Sequence, residues 1–196
     1  MNTLAFDTCC GRFSIALFKE KELVQHYLEH THNQQSKDLI SRIRELLAQS
    51  ELSIAKIDNI IITLGPGSFT GVRIGMAAAQ GMALINNTKL IGISTMEALA
   101  YMQDGDIITV LEAGRGYYYA QLFHEQVVRS KIWLADSEEI LQLSKNYKVI
   151  GTFKEENILP DSRFFIKALK MNVDDTKELM PIYIRDPDAK ISNKLH

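Results

Sequence analysis

From Val72 to Ile85 every side chain is apolar or absent except Arg73 and Gln80, and this segment limits the fold more than any other. Its length suits a helix over about residues 70–85. A helix with so little polar face must be covered on nearly every side, by its own domain or by another protein. Gly71, Gly75, Ala78, Ala79 and Met82 share one side at helical spacing, where a second helix can approach closely and methionine offers adaptable packing. Each glycine inside a helix costs roughly 1 kcal/mol relative to alanine. Packing must supply the reason for keeping them.

The segment sits in an α/β alternation. Residues 59–64 (Asn-Ile-Ile-Ile-Thr-Leu) form a β-branched run too short for a helix, as expected of a parallel strand buried on both faces. It leads through Gly65-Pro66-Gly67-Ser68-Phe69-Thr70-Gly71 into the helix, followed by a strand at 89–93 and a helix at 95–102. Upstream, residues 4–8, 13–18 and 23–28 read as a meander of strands. After polar residues 31–36, Leu39, Ile40, Ile43, Leu46 and Leu47 mark one face of an amphipathic helix over 36–49. Downstream, strands are expected at 107–111, 117–123 and 127–133, then shorter elements. The turn-forming Gln103-Asp104-Gly105-Asp106 divides the chain into subdomains 1–103 and 104–196, the second closing in a polar tail at 186–196.

Charge narrows the function. Among 196 residues, 22 Lys and Arg face 24 Asp and Glu, a net of −2. No basic arm is hidden in either half, which argues against strong direct binding of nucleic acid by this chain alone. Asp7 interrupts the apolar start, and no apolar run approaches the roughly 18 residues of a membrane span, so a cytoplasmic protein is expected. The cysteines, Cys9 and Cys10, are neighbours. Adjacent residues make a strained disulfide, and two are too few for a zinc site.

Chemistry is sparse. A glycine loop between a buried strand and a helix can cradle an anion, which makes Asp7, Gly67, Ser68, Thr70 and Arg73 weak candidates for phosphate contact. The loop lacks the Gly-Lys-Ser/Thr ending of a P-loop, however, and misses the dinucleotide fingerprint spacing. His26 and His30 have metal-ligand spacing only if helical. At a strand end, residues four apart lie about 13 Å from one another, and His32 does not rescue the site. Ser68 lacks a legible triad. Cys9 or Cys10 beside a buried strand suits packing better than nucleophilic attack, and alternation sends Tyr117, Tyr118 and Tyr119 to opposite faces. A stand-alone nucleotide-dependent phosphotransferase or a peptidase-like enzyme remains the alternative to a non-catalytic interaction protein.

Four stretches carry a family resemblance: Leu4-Ala5-Phe6-Asp7-Thr8, the Gly65 to Gly75 loop and helix start, Gly92-Ile93-Ser94-Thr95-Met96-Glu97-Ala98-Leu99-Ala100, and Pro181-Ile182-Tyr183-Ile184-Arg185. Together they resemble the TsaB (YeaZ) family, bacterial accessory subunits in threonylcarbamoyl modification of adenosine 37 of tRNAs reading A-starting codons. The resemblance implies an actin/Hsp70/sugar-kinase-like ATPase fold (ribonuclease H-like) with a reduced second subdomain. It implies a non-catalytic scaffold that binds the TsaD transferase as a heterodimer, with the TsaE ATPase in a larger complex; a homodimer is expected when the partner is missing, because an exposed apolar helix face seeks a substitute partner. ATP/ADP and metal are then expected on the partner subunits. The partner interface is expected on the two long helices, through Leu39, Ile43, Leu46, Gly71, Gly75, Met76, Ala78, Ala79 and Met82. Aligned with the catalytic relative, Thr95 and Leu99 stand where that relative's two metal-ligating histidines lie, so no metal site is expected. Cys9 replaces a common serine, and Glu112-Ala113-Gly114-Arg115 replaces the usual Asp-Ala-Arg.

Overall fold

A computed structural model describes residues 1–29, 35–171 and 179–184. Residues 31–34 of the polar segment expected at 31–36, with His30, Arg185 and the tail at 186–196, lie outside the described residues. Strands β1 (Asn2–Asp7), β2 (Ser14–Lys19) and β3 (Glu22–Leu28) form an antiparallel meander. Helix α1 (Gln35–Gln49) then carries the chain over to β4 (Asn59–Thr63), which joins β1 in parallel. Helix α2 (Phe69–Ala83) does the same for β5 (Lys89–Ile93), giving the order β3-β2-β1-β4-β5. Parallel neighbours require such crossovers.

Alternation along the central strands explains why they carry so few polar residues. Leu4, Phe6, Ile60 and Ile62 meet Leu39, Ile43, Leu46 and Leu47 of α1 and Ala79 of α2 on one side. Ala5 and Ile61 turn to the other side, against Ala98, Tyr101, Phe165 and Ala168. With both faces covered, every position favours an apolar side chain.

A short helix, α3 (Thr95–Ala100), joins the two halves. It is capped by Ser94, whose Oγ accepts from Glu97 N (3.0 Å) while the Glu97 carboxylate accepts from Ser94 N (2.8 Å). Ala98 packs on the first sheet, while Met96, Leu99 and Ala100 pack with Ile107, Leu111, Phe123 and Ile150 of the second. That sheet contains β6 (Asp106–Gly114), β7 (Tyr117–His124), β8 (Val127–Val128) and β9 (Trp133–Asp136), followed by α4 (Ser137–Leu143), β10 (Lys148–Phe153) and β11 (Glu156–Asn157). Its order is β11-β10-β6-β7-β8, with β9 also on β7. The single strand expected at 127–133 is therefore two. The chain turns because Ser130 Oγ accepts from Leu122 N (3.0 Å) and Ser130 O accepts from Gln121 Nε2 (3.0 Å).

The division at 103/104 needs correction, because the later half does not stay together. A 3-10 helix, Ser162–Leu169, returns beneath β1 and β2 and places Phe165 and Ala168 in the first sheet's lower layer. Ser162 N donates to Ser14 Oγ (2.8 Å), and Ile182 N donates to Leu64 O (2.7 Å). The buried Asp161 carboxylate accepts from Arg163 Nε (2.9 Å) and Nη2 (2.6 Å), and lies 3.1 Å from His26 Nε2 on β3. Burial alone would raise its pKa, but His26 and Arg163 hold it well below the usual carboxylate range. The short α3 cannot cover the lower face of five strands, so the returning segment completes it.

Candidate docking face and glycine loop

Ser68 starts α2, its Oγ accepting from Gly71 N (3.2 Å). The helix then runs unusually close to the end of β1. A methyl group on Gly71 would lie 2.0 Å from the Thr8 carbonyl oxygen, and one on Gly75 would lie 2.5 Å from Thr8 Oγ1. Thr8 Oγ1 donates to Gly71 O (2.7 Å), locking the approach. The small-residue side thus admits the chain's own strand end rather than another helix. This corrects the expected interface: Gly71, Gly75 and Ala79 are buried within the chain, and so are Leu39, Ile43 and Leu46. Met76, Ala78 and Met82 are half-buried against the same layer. Helical periodicity identifies residues that share a face, but the space available decides which face turns inward.

The outward face of α2 carries Phe69, Arg73, Ala77, Gln80, Gly81 and Leu84, all exposed. Leu84 is 88% and Phe69 41% accessible, with Ile85 just beyond at 57% and Ile40 of α1 at 45%. An apolar stripe of this kind on water is a candidate interaction surface. The returning segment contributes to it: the Tyr183 ring lies 5.5 Å from that of Phe69. The Arg73 guanidinium sits 3.7 Å over the Phe69 ring, and its Nε donates to Tyr183 Oη (3.3 Å). One signal in the sequence pointed here: Arg73 and Gln80, the two polar interruptions, stand seven residues apart and so mark the outward side.

The five candidate phosphate residues do not form one open cradle. Asp7 is 1% exposed, its Oδ1 accepting from Thr63 Oγ1 (2.5 Å) and Cys9 N (3.1 Å) while Oδ2 has no partner among the described residues. Ser68 N is committed to Cys9 O (2.7 Å), and a methyl on Gly67 would lie 2.5 Å from that same oxygen. Thr70 is exposed, and Arg73 is engaged with Phe69 and Tyr183. The thiols suit packing. Burial pushes Cys9 up to about 12 and raises Cys10 as well, which leaves little thiolate at neutral pH.

Burial also pushes Asp7 up to about 6, against the opposing hydrogen bonds from Thr63 and Cys9. The folded state then holds a proton between roughly pH 4 and 6 that the unfolded chain has released, so stability contributed by this group falls as pH rises through that window. Asp7→Asn should flatten the loss, which amounts to on the order of 3 kcal/mol for a shift of this size. Urea melts from pH 4 to 8 measure it. Parallel curves for the two proteins would contradict the assignment.

His26 is tied to Asp161 as described, while its supposed companion His30 lies outside the described residues. Thr95 and Leu99 are both buried in the core, and leucine offers no ligand atom. No three His, Cys, Asp or Glu side chains converge among the described residues. Tyr118 packs edge-on against Phe153 (5.3 Å) and Tyr119 joins the opposite layer, the separation expected of strand alternation. No described helix is long and apolar enough to cross a membrane.

Comparison with known proteins places this geometry among relatives. Residues 27–151 match the sequence model of a family described as TsaD, tRNA N6-adenosine threonylcarbamoyltransferase. The chain is 31% identical to the tRNA threonylcarbamoyladenosine biosynthesis protein TsaB of Bacillus subtilis, over 97% of this chain and 96% of that one. It is 28% identical to the Escherichia coli protein of the same name, over 78% and 71% respectively. In three dimensions it superposes on YeaZ from Pseudomonas aeruginosa with a TM-score of 0.75 at 17% identity, covering 93% of this chain and 99% of that one. A further Pseudomonas aeruginosa structure, described as similar to the peptidase YeaZ, gives 0.78 at 18% identity, covering 94% and 99%. The two-sheet α/β architecture is shared with these two structures.

Proposed function

Because this chain belongs to the TsaB family of tRNA threonylcarbamoyladenosine biosynthesis proteins, we propose that it is the non-catalytic subunit that docks the TsaD transferase through the outward face of α2. The observation that carries this reading is the exposed stripe from Phe69 to Leu84 on a helix whose other side is fully committed. The match to the TsaD family model also supports it, since related subunits can pair through related surfaces. A complex of ordinary size would bury about 1,600 Å² in total, far more than one helix stripe, so α1 with Ile40 and the segment 179–184 take part.

In this reading the chain works in the cytoplasm, TsaE joins the assembled pair, and self-association covers the same face when the partner is missing. Nucleotide and metal chemistry fall to the partners. A phosphotransferase would need Asp7 open to a metal-bound phosphate, whereas here the carboxylate is enclosed and bonded to Thr63. A near-neutral net charge fits a subunit that leaves gripping tRNA to others. The test is reconstitution: threonylcarbamoyl transfer to tRNA with TsaD, TsaE and the activated threonylcarbamoyl donor, with and without this chain. Transfer should drop to background when it is omitted. Undiminished transfer without it, or threonylcarbamoyl transfer by the isolated chain, would sink the proposal.

A further inference from the structure

We propose that Arg73 is the polar anchor of the docking face and takes a carboxylate, an Asp or Glu side chain, from the partner subunit. The inference rests on the docking role proposed above and goes one step further, to the chemistry the partner must present. The Arg73 guanidinium carbon lies 3.7 Å from the centroid of the exposed Phe69 ring, and its Nε is spent on Tyr183 Oη at 3.3 Å. No described residue accepts from either Nη. Helix α2 has no acidic residue in its first turn, and none occurs between Ser68 and Thr88. Its exposed neighbours carry no negative charge: Phe69 and Thr70 one turn before, Ala77 one turn after, and Tyr183 against Phe69.

Such a cation is comfortable only while water reaches it. Once a partner covers Phe69, Leu84 and Tyr183, the guanidinium loses solvent from both Nη groups, and an unpaired buried charge is strongly unfavourable. Helix α2 has no acid to compensate and no described residue accepts from either Nη, so the proposed acceptor comes from the partner. A carboxylate matches the remaining fork of the guanidinium with two parallel hydrogen bonds. The Phe69 ring and the Tyr183 hydroxyl fix the guanidinium in place in advance, and Tyr183, which accepts from Nε, keeps its own O–H to donate to the same carboxylate. Arginine and tyrosine backed by an aromatic ring make up the composition in which binding energy concentrates at interfaces.

The experiment measures equilibrium affinity of purified TsaD for the full-length chain at low and high salt, with thermal melts confirming that each variant folds. Arg73→Met should weaken binding at least about 30-fold and flatten its salt dependence, as expected for losing one side of a covered charge pair. Arg73→Lys, which keeps the charge without the planar fork, should fall between Met and the wild type. Leu84→Glu serves as the reference for the docking face itself. If Leu84→Glu abolishes binding while Arg73→Met stays within about threefold of wild type, or keeps the wild-type salt dependence, the anchor is wrong and the docking reading stands. If Leu84→Glu binds like wild type, the docking reading fails first.

Discussion

Leu84→Glu should leave the chain folded and abolish the proposed binding to TsaD. Leu84 is 88% exposed at the end of α2, so the substitution costs the isolated chain no more than about 0.5 kcal/mol. In the complex the same carboxylate would be forced into an apolar contact without a counter-charge. Losses of about 3 kcal/mol, roughly 100-fold in affinity, are ordinary for that situation. Titration calorimetry with TsaD measures the loss, and threonylcarbamoyl transfer should fall with it at limiting concentrations. Val127→Glu, at an exposed position on the second sheet, is the control and should bind normally. Equal losses for both variants would mean that the face has been misplaced.

The second large effect concerns folding rather than binding. Gly71→Val should destabilise the chain by at least about 3 kcal/mol, because its side chain meets the Thr8 carbonyl, a backbone atom that cannot swing aside. Gly75→Val meets the Thr8 hydroxyl instead and should cost somewhat less, since a side chain has some freedom to rotate. Gly81 provides the contrast. It is exposed, with no atom within 4 Å of the place a methyl would occupy, so Gly81→Ala should stabilise by roughly 0.5–1 kcal/mol through helix propensity. Chemical denaturation of the three variants gives all three values. A mild Gly71→Val would show that α2 and the end of β1 are looser than described.

These glycines also show where sequence was legible and where it was not. The β-branched run at 59–64 and the apolar positions of α1 announced a doubly covered sheet, and the structure has one. Spacing alone could also place Gly71, Gly75 and Ala79 on one side of a helix. It could not say whether that side met a sheet or a partner, because small residues permit close approach by either. The polar pair Arg73 and Gln80 held the answer, since a helix docked on its own sheet turns its few polar groups outward. Tyr183 was beyond reach for a different reason. Its neighbour Phe69 lies more than a hundred residues earlier, and no local periodicity connects them. Likewise, nothing in the stretch around Asp161 signals that its carboxylate will hold Arg163 and approach His26 across the chain.

The return of residues 161–171 and 179–184 to the first sheet sets an order of events during synthesis. A ribosome delivers the strands and both long helices of that sheet first, then the whole second sheet, and only afterwards the segment that donates Ile182 N to Leu64 and lays Tyr183 against Phe69. Until that segment emerges, the lower layer lacks Phe165 and Ala168, and Arg73 has no Tyr183 hydroxyl to steady it. Nascent or prematurely terminated chains therefore present an unfinished surface. In the proposed assembly, only a subunit with this segment in place offers the complete docking face.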